Sequence, residues 1–188
     1  MGSLLKSTLN TRVLVDKPKF IRSDLPWKCT KDDLDFLYNQ GIRLAVDLRT
    51  EGEYTQWQSN FESDSRFKVL HMPLTVIIGE QKTKEDMIQA YERMLDSKLT
   101  EVLDTIMYAD SKVIYFCYTG KDRTGVASAM LLRRLGYPKT VIESDYMQSR
   151  LNMEQWIRNY CSKHPEEPIE VCMPTLEFLK PVLDCEVL

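Results

Sequence analysis

The sequence predicts an α/β chain: a central, mostly parallel sheet flanked by helices on both faces. Three observations point there. Short apolar runs alternate with segments apolar at helical spacing. The strand candidates IRLAVDLR and KVIYF are apolar almost throughout, as strands covered on both faces are. The 188 residues suffice for one core, and no repeat, linker or low-complexity tract divides them. Residues 1–188 therefore read as a single domain, with 1–20 as a lead-in of irregular chain or edge strand.

The elements follow in order. CTKDDLDFLYNQG reads as a helix: Thr30 and Asp33 form a capping-box pair, Leu34 and Leu37 share a face, and Gly41 can end it. IRLAVDLR is a buried strand, EGEYTQWQSNFESDS a polar loop with room for a helical turn, and FKVLHMPL a second strand closed by Pro73. TKEDMIQAYERMLDS is a helix capped by Thr83 with Asp86 three residues on, its stripe being Met87, Ala90, Tyr91 and Met94. LTEVLDTIMYAD is helical and KVIYF is a short strand. TGVASAMLLRRLG is a largely buried helix stopped by Gly136. KTVIESDYMQS and MEQWIRNYCSK read as two further helices, and the tail PTLEFLKPVLDCEVL as a helix interrupted by Pro181.

Composition excludes several classes. A net charge of −3 gives no support to a nucleic-acid partner. Five scattered cysteines without a C-x-x-C pair, and only two histidines, argue against a structural zinc site and a disulfide framework. Cys29, Cys161, Cys172 and Cys185 read as inert core thiols. No apolar run approaches the roughly 20 residues of a membrane span, and no basic amphipathic run suits stable membrane docking. MGSLLKSTLN has no signal-peptide core, and Lys6 breaks the myristoylation pattern, so the expected location is the cytoplasm. A Met-Gly-Ser start also fits a replaced leader, which leaves that alternative open. Oligomeric state is not legible.

One stretch carries chemistry. CYTGKDRTG, Cys117 to Gly125, follows the KVIYF strand and opens a helix. In parallel sheets the ligand site lies beyond the carboxyl ends of the strands, which is where this loop falls. A thiolate is the reactive form of cysteine, and it is favoured at helix N-termini and beside cations. Cys117 has the helix and both Lys121 and Arg123. Gly120 and Gly125 allow the backbone to approach closely, so the intervening N–H groups can form an anion-binding nest. Arg123, six residues after the cysteine, can reach back and fork two oxygens of a phosphate. The Thr124 hydroxyl can donate to the sulfur. Tyr118 is placed at the pocket mouth, with Thr119 on its floor. The chemistry these residues support is attack of Cys117 on phosphorus, then hydrolysis of the cysteinyl phosphate, with no metal or cofactor required.

CYTGKDRTG carries the C-x-x-x-x-x-R-[ST] signature and resembles the protein tyrosine phosphatase superfamily. Its GKDRTG form resembles the bacterial-type branch that also acts on phosphoinositides. FIRSDLPWKCTKDDLDFLYNQGIRLAVDLRTEGEY and SDYMQSR are similar to that branch too, so the resemblance covers most of Phe20 to Arg150. It implies a phosphatase-like fold and a substrate that is phosphotyrosine protein, a phosphoinositide or an inositol phosphate. Three departures stand out. Phe116 occupies the position where the family usually has His, and Thr119 the position of a usual Ala. The Asp general acid that the family often carries after the preceding strand has no counterpart before Asp86, and Glu80 is the nearest carboxylate. The resemblance instead implies proton transfer by Asp122, although its neighbours Lys121 and Arg123 favour the carboxylate and so suit a base better than an acid.

Alternatives remain for several residues. Lys121 is either a solvated rim lysine or a contact for a second phosphate, and Asp122 is either catalytic or a structural loop residue. Asp47, Arg49 and Glu53 read as a buried ion pair that fixes a strand end. Besides an active phosphatase, the sequence admits a pseudophosphatase that binds phosphorylated ligands without turnover. It also admits a rhodanese-type sulfur-transfer domain, against which the Arg123–Thr124 pair speaks.

Overall fold

The structure is a computed structural model that describes residues 3–74 and 81–186. Its sheet has the order β1-β2-β5-β3-β4. The strands are β1 (Arg12–Leu14), β2 (Lys17–Ser23), β3 (Ile42–Asp47), β4 (Lys68–His71) and β5 (Lys112–Phe116). Only the β1–β2 pair is antiparallel; β2, β5, β3 and β4 run parallel. Ser23 and Asp47 both pair with Phe116, and His71 with Asp47, so the carboxyl ends of the four parallel strands align.

The helices are α1 (Lys31–Asn39), α2 (Glu51–Gln56), α3 (Lys84–Arg93), α4 (Ser97–Met107), α5 (Arg123–Arg134), α6 (Lys139–Lys163), α7 (Ile169–Cys172) and α8 (Leu176–Asp184). Side chains alternate along β5. Val113 and Tyr115 face the core built with α3, α4, α5, α6 and α8, while Ile114 and Phe116 face the core built with α1 and Phe61. Full burial of Val113, Ile114 and Phe116 stabilises the fold by about 1.5–3 kcal/mol each. Both faces of the sheet are thus covered, as expected.

Both predicted capping boxes form, Thr30 with Asp33 and Thr83 with Asp86. Gly41 and Gly136 follow their helices with positive φ. Four expectations need correction. The lead-in does hold an edge strand, β1, but β2, which starts within it, lies inside the sheet. The polar loop after β3 contains α2, with a third capping box between Thr50 and Glu53. The two helices expected at 139–149 and 153–163 are one, because nothing between them breaks a helix; Ile142, Tyr146, Ser149, Met153 and Ile157 form one buried stripe. The last helix also continues through Pro181. Among the described residues no helix is long and apolar enough to cross a membrane.

Candidate active site

Cys117 directly follows the central strand and is 1% exposed. The loop above it is held from outside. Leu25 N–H donates to the Tyr118 carbonyl (3.0 Å). Asn10 Nδ2 donates to the carbonyls of Thr119 (3.2 Å) and Gly120 (3.0 Å), and Arg22 Nη2 to that of Gly120 (2.9 Å). In a trans peptide the next N–H points opposite to the carbonyl. With three successive carbonyls tied outward, the amides of Thr119, Gly120 and Lys121 turn to the inner side of the loop. Among the described residues, the amides from Tyr118 to Thr124 donate to no other group. The helix α5 begins at Arg123 and adds its positive N-terminal end. The result is an anion nest of the expected kind.

The outer brace is itself secured. Arg22 is fully buried and pairs with Asp145 of α6, and Ser149 Oγ accepts from Arg22 and Arg12. Burial, then the nearby Arg22, lower the Arg12 pKa to about 10. The SDYMQSR segment therefore supports the loop from behind.

Arg123 meets Glu53 end-on, Nη1 to Oε2 at 2.5 Å and Nη2 to Oε1 at 2.7 Å. Burial pushes the Glu53 carboxyl up, but the hydrogen bonds and charge of Arg123 outweigh it and hold it at about 2. The capping box fixes Glu53, since the same Oε2 accepts from Thr50 N and Oγ1, both at 2.9 Å. A guanidinium has five donors, so this end-on grip leaves the Nε edge for another oxyanion. Sequence reasoning grouped Glu53 with Asp47 and Arg49; the structure separates them. Asp47 and Arg49 do form the buried pair at the strand end (2.5 Å), whereas Glu53 belongs to the site. The pattern Thr50-x-x-Glu53 was the signal that could have placed it.

Both oxygens of Asp122 face donors. Lys121 Nζ lies 2.6 Å from Oδ2, and the Tyr91 hydroxyl 2.9 Å from Oδ1. Lys121 is only 8% exposed, which speaks against the solvated-rim alternative. Asp86 accepts from the amides of Lys82 and Thr83 at 3.0 Å and is absent from the cavity lining, which removes it as a proton donor. Glu80 lies outside the described residues. The bond expected from Thr124 to the sulfur is not formed: Thr124 Oγ1 is buried without a partner among the described residues. Phe116 points away from the loop and stacks on Phe61 at 6.2 Å.

A cavity of about 440 Å³ opens onto the loop. Tyr118 (41% exposed), Thr119, Lys121, Asp122, Arg123 and Glu53 line it. Met87, Ala90 and Tyr91 of α3, Met94 just after it, and Trp156, Ile157 and Tyr160 of α6 also line the cavity. Cys172 also lines the cavity; it and Cys161 and Cys185 are half-buried, so of the four cysteines expected as core thiols only Cys29 is buried.

A central strand that ends in a cysteine, an anion nest above it and an arginine at the next helix start define the site and fold of the protein tyrosine phosphatase superfamily. A model of the Tyrosine phosphatase family matches residues 5–185, and the chain belongs to that family. It is 30% identical over 163 residues to a tyrosine-protein phosphatase of Nostoc commune, covering 81% of this chain and 55% of that one. It is also 37% identical over 51 residues to the triple specificity protein phosphatase PtpB of Mycobacterium tuberculosis, 27% of this chain and 18% of that one. The chain thus spans about half or less of the length of these relatives. Among solved structures it resembles P. aeruginosa TpbA, with a TM-score of 0.59 at 17% identity over 99% of this chain and 90% of that one. It also resembles the human tyrosine phosphatase-like serine/threonine/tyrosine-interacting protein, with 0.54 at 14% over 93% of each chain. Those two likenesses concern the fold.

Proposed function

We propose that the protein hydrolyses phosphate monoesters through a cysteinyl phosphate, with phosphotyrosine in protein as its preferred substrate. One observation carries the reading: three consecutive loop carbonyls are tied outward directly after Cys117, which leaves their partner amides for a phosphate. Those amides and the Nε edge of Arg123 hold the equatorial oxygens. Cys117 Sγ attacks phosphorus, and the ester oxygen leaves with its electron pair. Water then attacks phosphorus and gives its proton to Asp122, while the S–P bond breaks with its pair returning to sulfur.

Two features support an aryl phosphate over a polyphosphorylated inositol. The cavity lining includes Met87, Met94, Trp156, Ile157 and Tyr160, apolar surface suited to a ring. The two cations of the loop itself are already matched, Arg123 by Glu53 and Lys121 by Asp122, and the third cation of the cavity lining, Lys82, reaches the Glu166 carbonyl at 3.3 Å.

The test is phosphate release from a phosphotyrosine peptide, a phosphoserine peptide, phosphoinositides and inositol polyphosphates, with Cys117→Ser as blank. The expected order puts phosphotyrosine first. A preference for phosphoinositides would replace the substrate reading. No release from any of them, together with thermal protection by phosphate, would make the protein a binding module.

A further inference from the structure

The rim of the cavity carries an aromatic surface that the cysteinyl-phosphate reaction does not use. Trp57 lines the cavity together with Glu53 and Tyr118. The Trp27 ring meets Trp57 edge to face, with centroids 5.3 Å apart. Both tryptophans stay open to solvent, Trp27 at 44% and Trp57 at 38%. Contiguous exposed apolar surface of this kind marks a contact site, and tryptophan is the residue most enriched where such contacts carry energy. We propose that Trp57 and Trp27 form a docking surface for the polypeptide that carries the phosphotyrosine, and that they select an apolar side chain within two residues of it. This rests on the phosphotyrosine reading and deepens it.

The surface is held in place before anything binds. The Thr50–Glu53 capping box fixes the start of α2. At its end the Trp57 N–H donates to the Glu53 carbonyl (3.0 Å), and Arg49 Nη1 donates to the carbonyls of Glu53 (3.2 Å) and Trp57 (2.5 Å). Arg49 is itself buried against Asp47. One short helix therefore sets both the Glu53 carboxylate on Arg123 and the Trp57 ring on the cavity rim. Trp27 comes from the segment that ties down the loop: Leu25 N–H donates to the Tyr118 carbonyl (3.0 Å), and the Pro26 carbonyl accepts from Asn60 N–H (3.3 Å). Lys28 Nζ lies over the Trp27 ring at 4.3 Å. Rings fixed in this way lose little freedom when a ligand covers them.

Three features point to the occupant. The surface is continuous with the cavity through Trp57, so a chain whose phosphotyrosine fills the cavity has this surface beside it. The 5.3 Å step from Trp57 to Trp27 equals the span of one to two residues of extended chain, at roughly 3.3–3.6 Å each. Charge speaks against a lipid surface: among the described residues Lys28 is the one cation over either ring, whereas anionic bilayers are held by clusters of about four to eight. Indole faces take aliphatic and aromatic side chains through area and dispersion, and each ring has a single N–H to offer a polar one. An apolar neighbour of the phosphotyrosine is the side chain that fits.

The experiment measures kcat/KM on two phosphotyrosine peptides that differ only in carrying Leu or Ser at the two positions on either side. Wild type, Trp27→Ala and Trp27→Phe are compared. The readout is the Leu-to-Ser ratio within one preparation, so an unfolded fraction cancels. Expected is a ratio of about tenfold in wild type, near one in Trp27→Ala and intermediate in Trp27→Phe. If Trp27→Ala does not fold, Trp27→Phe decides: a lowered ratio supports the inference and an unchanged one overturns it. A wild-type ratio near one, or the wild-type ratio kept in Trp27→Ala, would overturn the inference and leave the phosphatase reading standing. Release from phosphoinositides but from no phosphotyrosine peptide would remove the substrate reading, and the inference with it. Wild type and Trp27→Ala are also floated with phosphatidylcholine–phosphatidylserine vesicles and run by sedimentation velocity. Vesicle binding or self-association that Trp27→Ala abolishes would give the surface a different occupant and overturn the proposal.

Discussion

Gly120→Ala tests whether the loop is set by what presses on it from outside. Gly120 has φ +67°, a conformation that costs an alanine about 1–2 kcal/mol. An added Cβ would also stand 2.5 Å from Ser23 O and 2.6 Å from Asp24 N, roughly 0.5–0.9 Å short of the 3.0–3.4 Å at which such contacts become tolerable. Both obstacles are backbone atoms. Ser23 ends β2 and is paired with Phe116 of β5, so neither can swing aside as a side chain would. The loop must lift instead, and it then stretches the bonds from Leu25, Asn10 and Arg22. With about 1 kcal/mol for each weakened bond, and the backbone cost added, the total loss is about 4–5 kcal/mol. A displacement approaching 1 Å in the phosphate cradle costs about a hundredfold in turnover. The assay is a urea midpoint together with kcat on p-nitrophenyl phosphate. Gly52→Ala is the control: nothing lies within 4 Å of its Cβ, and α2 gains a better helix former. A Gly120→Ala protein with the wild-type midpoint and kcat within about threefold would refute the outside-brace reasoning.

Other perturbations read the rest of the site. The Glu53 carboxyl is depressed from 4.5 to about 2, so the stability it supplies is present above 4.5 and lost as pH falls toward 2. Glu53→Gln should be about 1–2 kcal/mol less stable at pH 7, after allowance for partial exposure, and equal to wild type near pH 2; parallel stability curves across that window would contradict the Arg123 pairing. Vanadate should slow alkylation of Cys117 about tenfold by mass mapping while Cys161 and Cys172 label unchanged, and equal labelling with and without vanadate would argue against a nest over the sulfur. Asp86→Asn should cost about 0.5–1 kcal/mol from its helix cap and leave kcat within about twofold. A collapse of kcat would restore Asp86 as a proton donor.

What the sequence showed and what it hid differ in reach along the chain. Local signals were readable: two capping boxes, the glycine stops, the alternation of strand and helix, and the whole loop from Cys117 to Gly125. Strand β2 was not, because KPKFIRS carries two lysines, a proline and an arginine and looks like surface. Its Arg22 is buried only because Asp145, 123 residues away, neutralises it. Glu53 hid for the same reason, its partner Arg123 lying 70 residues on. Tyr91 looked like one more apolar stripe residue, and its hydroxyl gains meaning only when α3 and α6 bring it to Asp122.

Phe116 shows how the loop can keep its shape without the histidine that the resemblance implies. Strand alternation sends the side chain at 116 to the α1 face, where it stacks on Phe61, while Cys117 belongs to the opposite core. From there Phe116 has no polar atom to lend the loop. The ordering is supplied elsewhere: Asn10 and Arg22 hold the carbonyls of Thr119 and Gly120, Leu25 holds that of Tyr118, and Leu48 N–H takes that of Phe116 itself at 2.8 Å. Four donors from three separate segments fix four consecutive or near-consecutive carbonyls, and the amides must follow the peptide planes. A ring hydrogen bond at 116 would add to that arrangement but is not what creates it. The lead-in of the chain, through Asn10, together with Arg22 of β2, is therefore part of the phosphate cradle rather than an appendage to it.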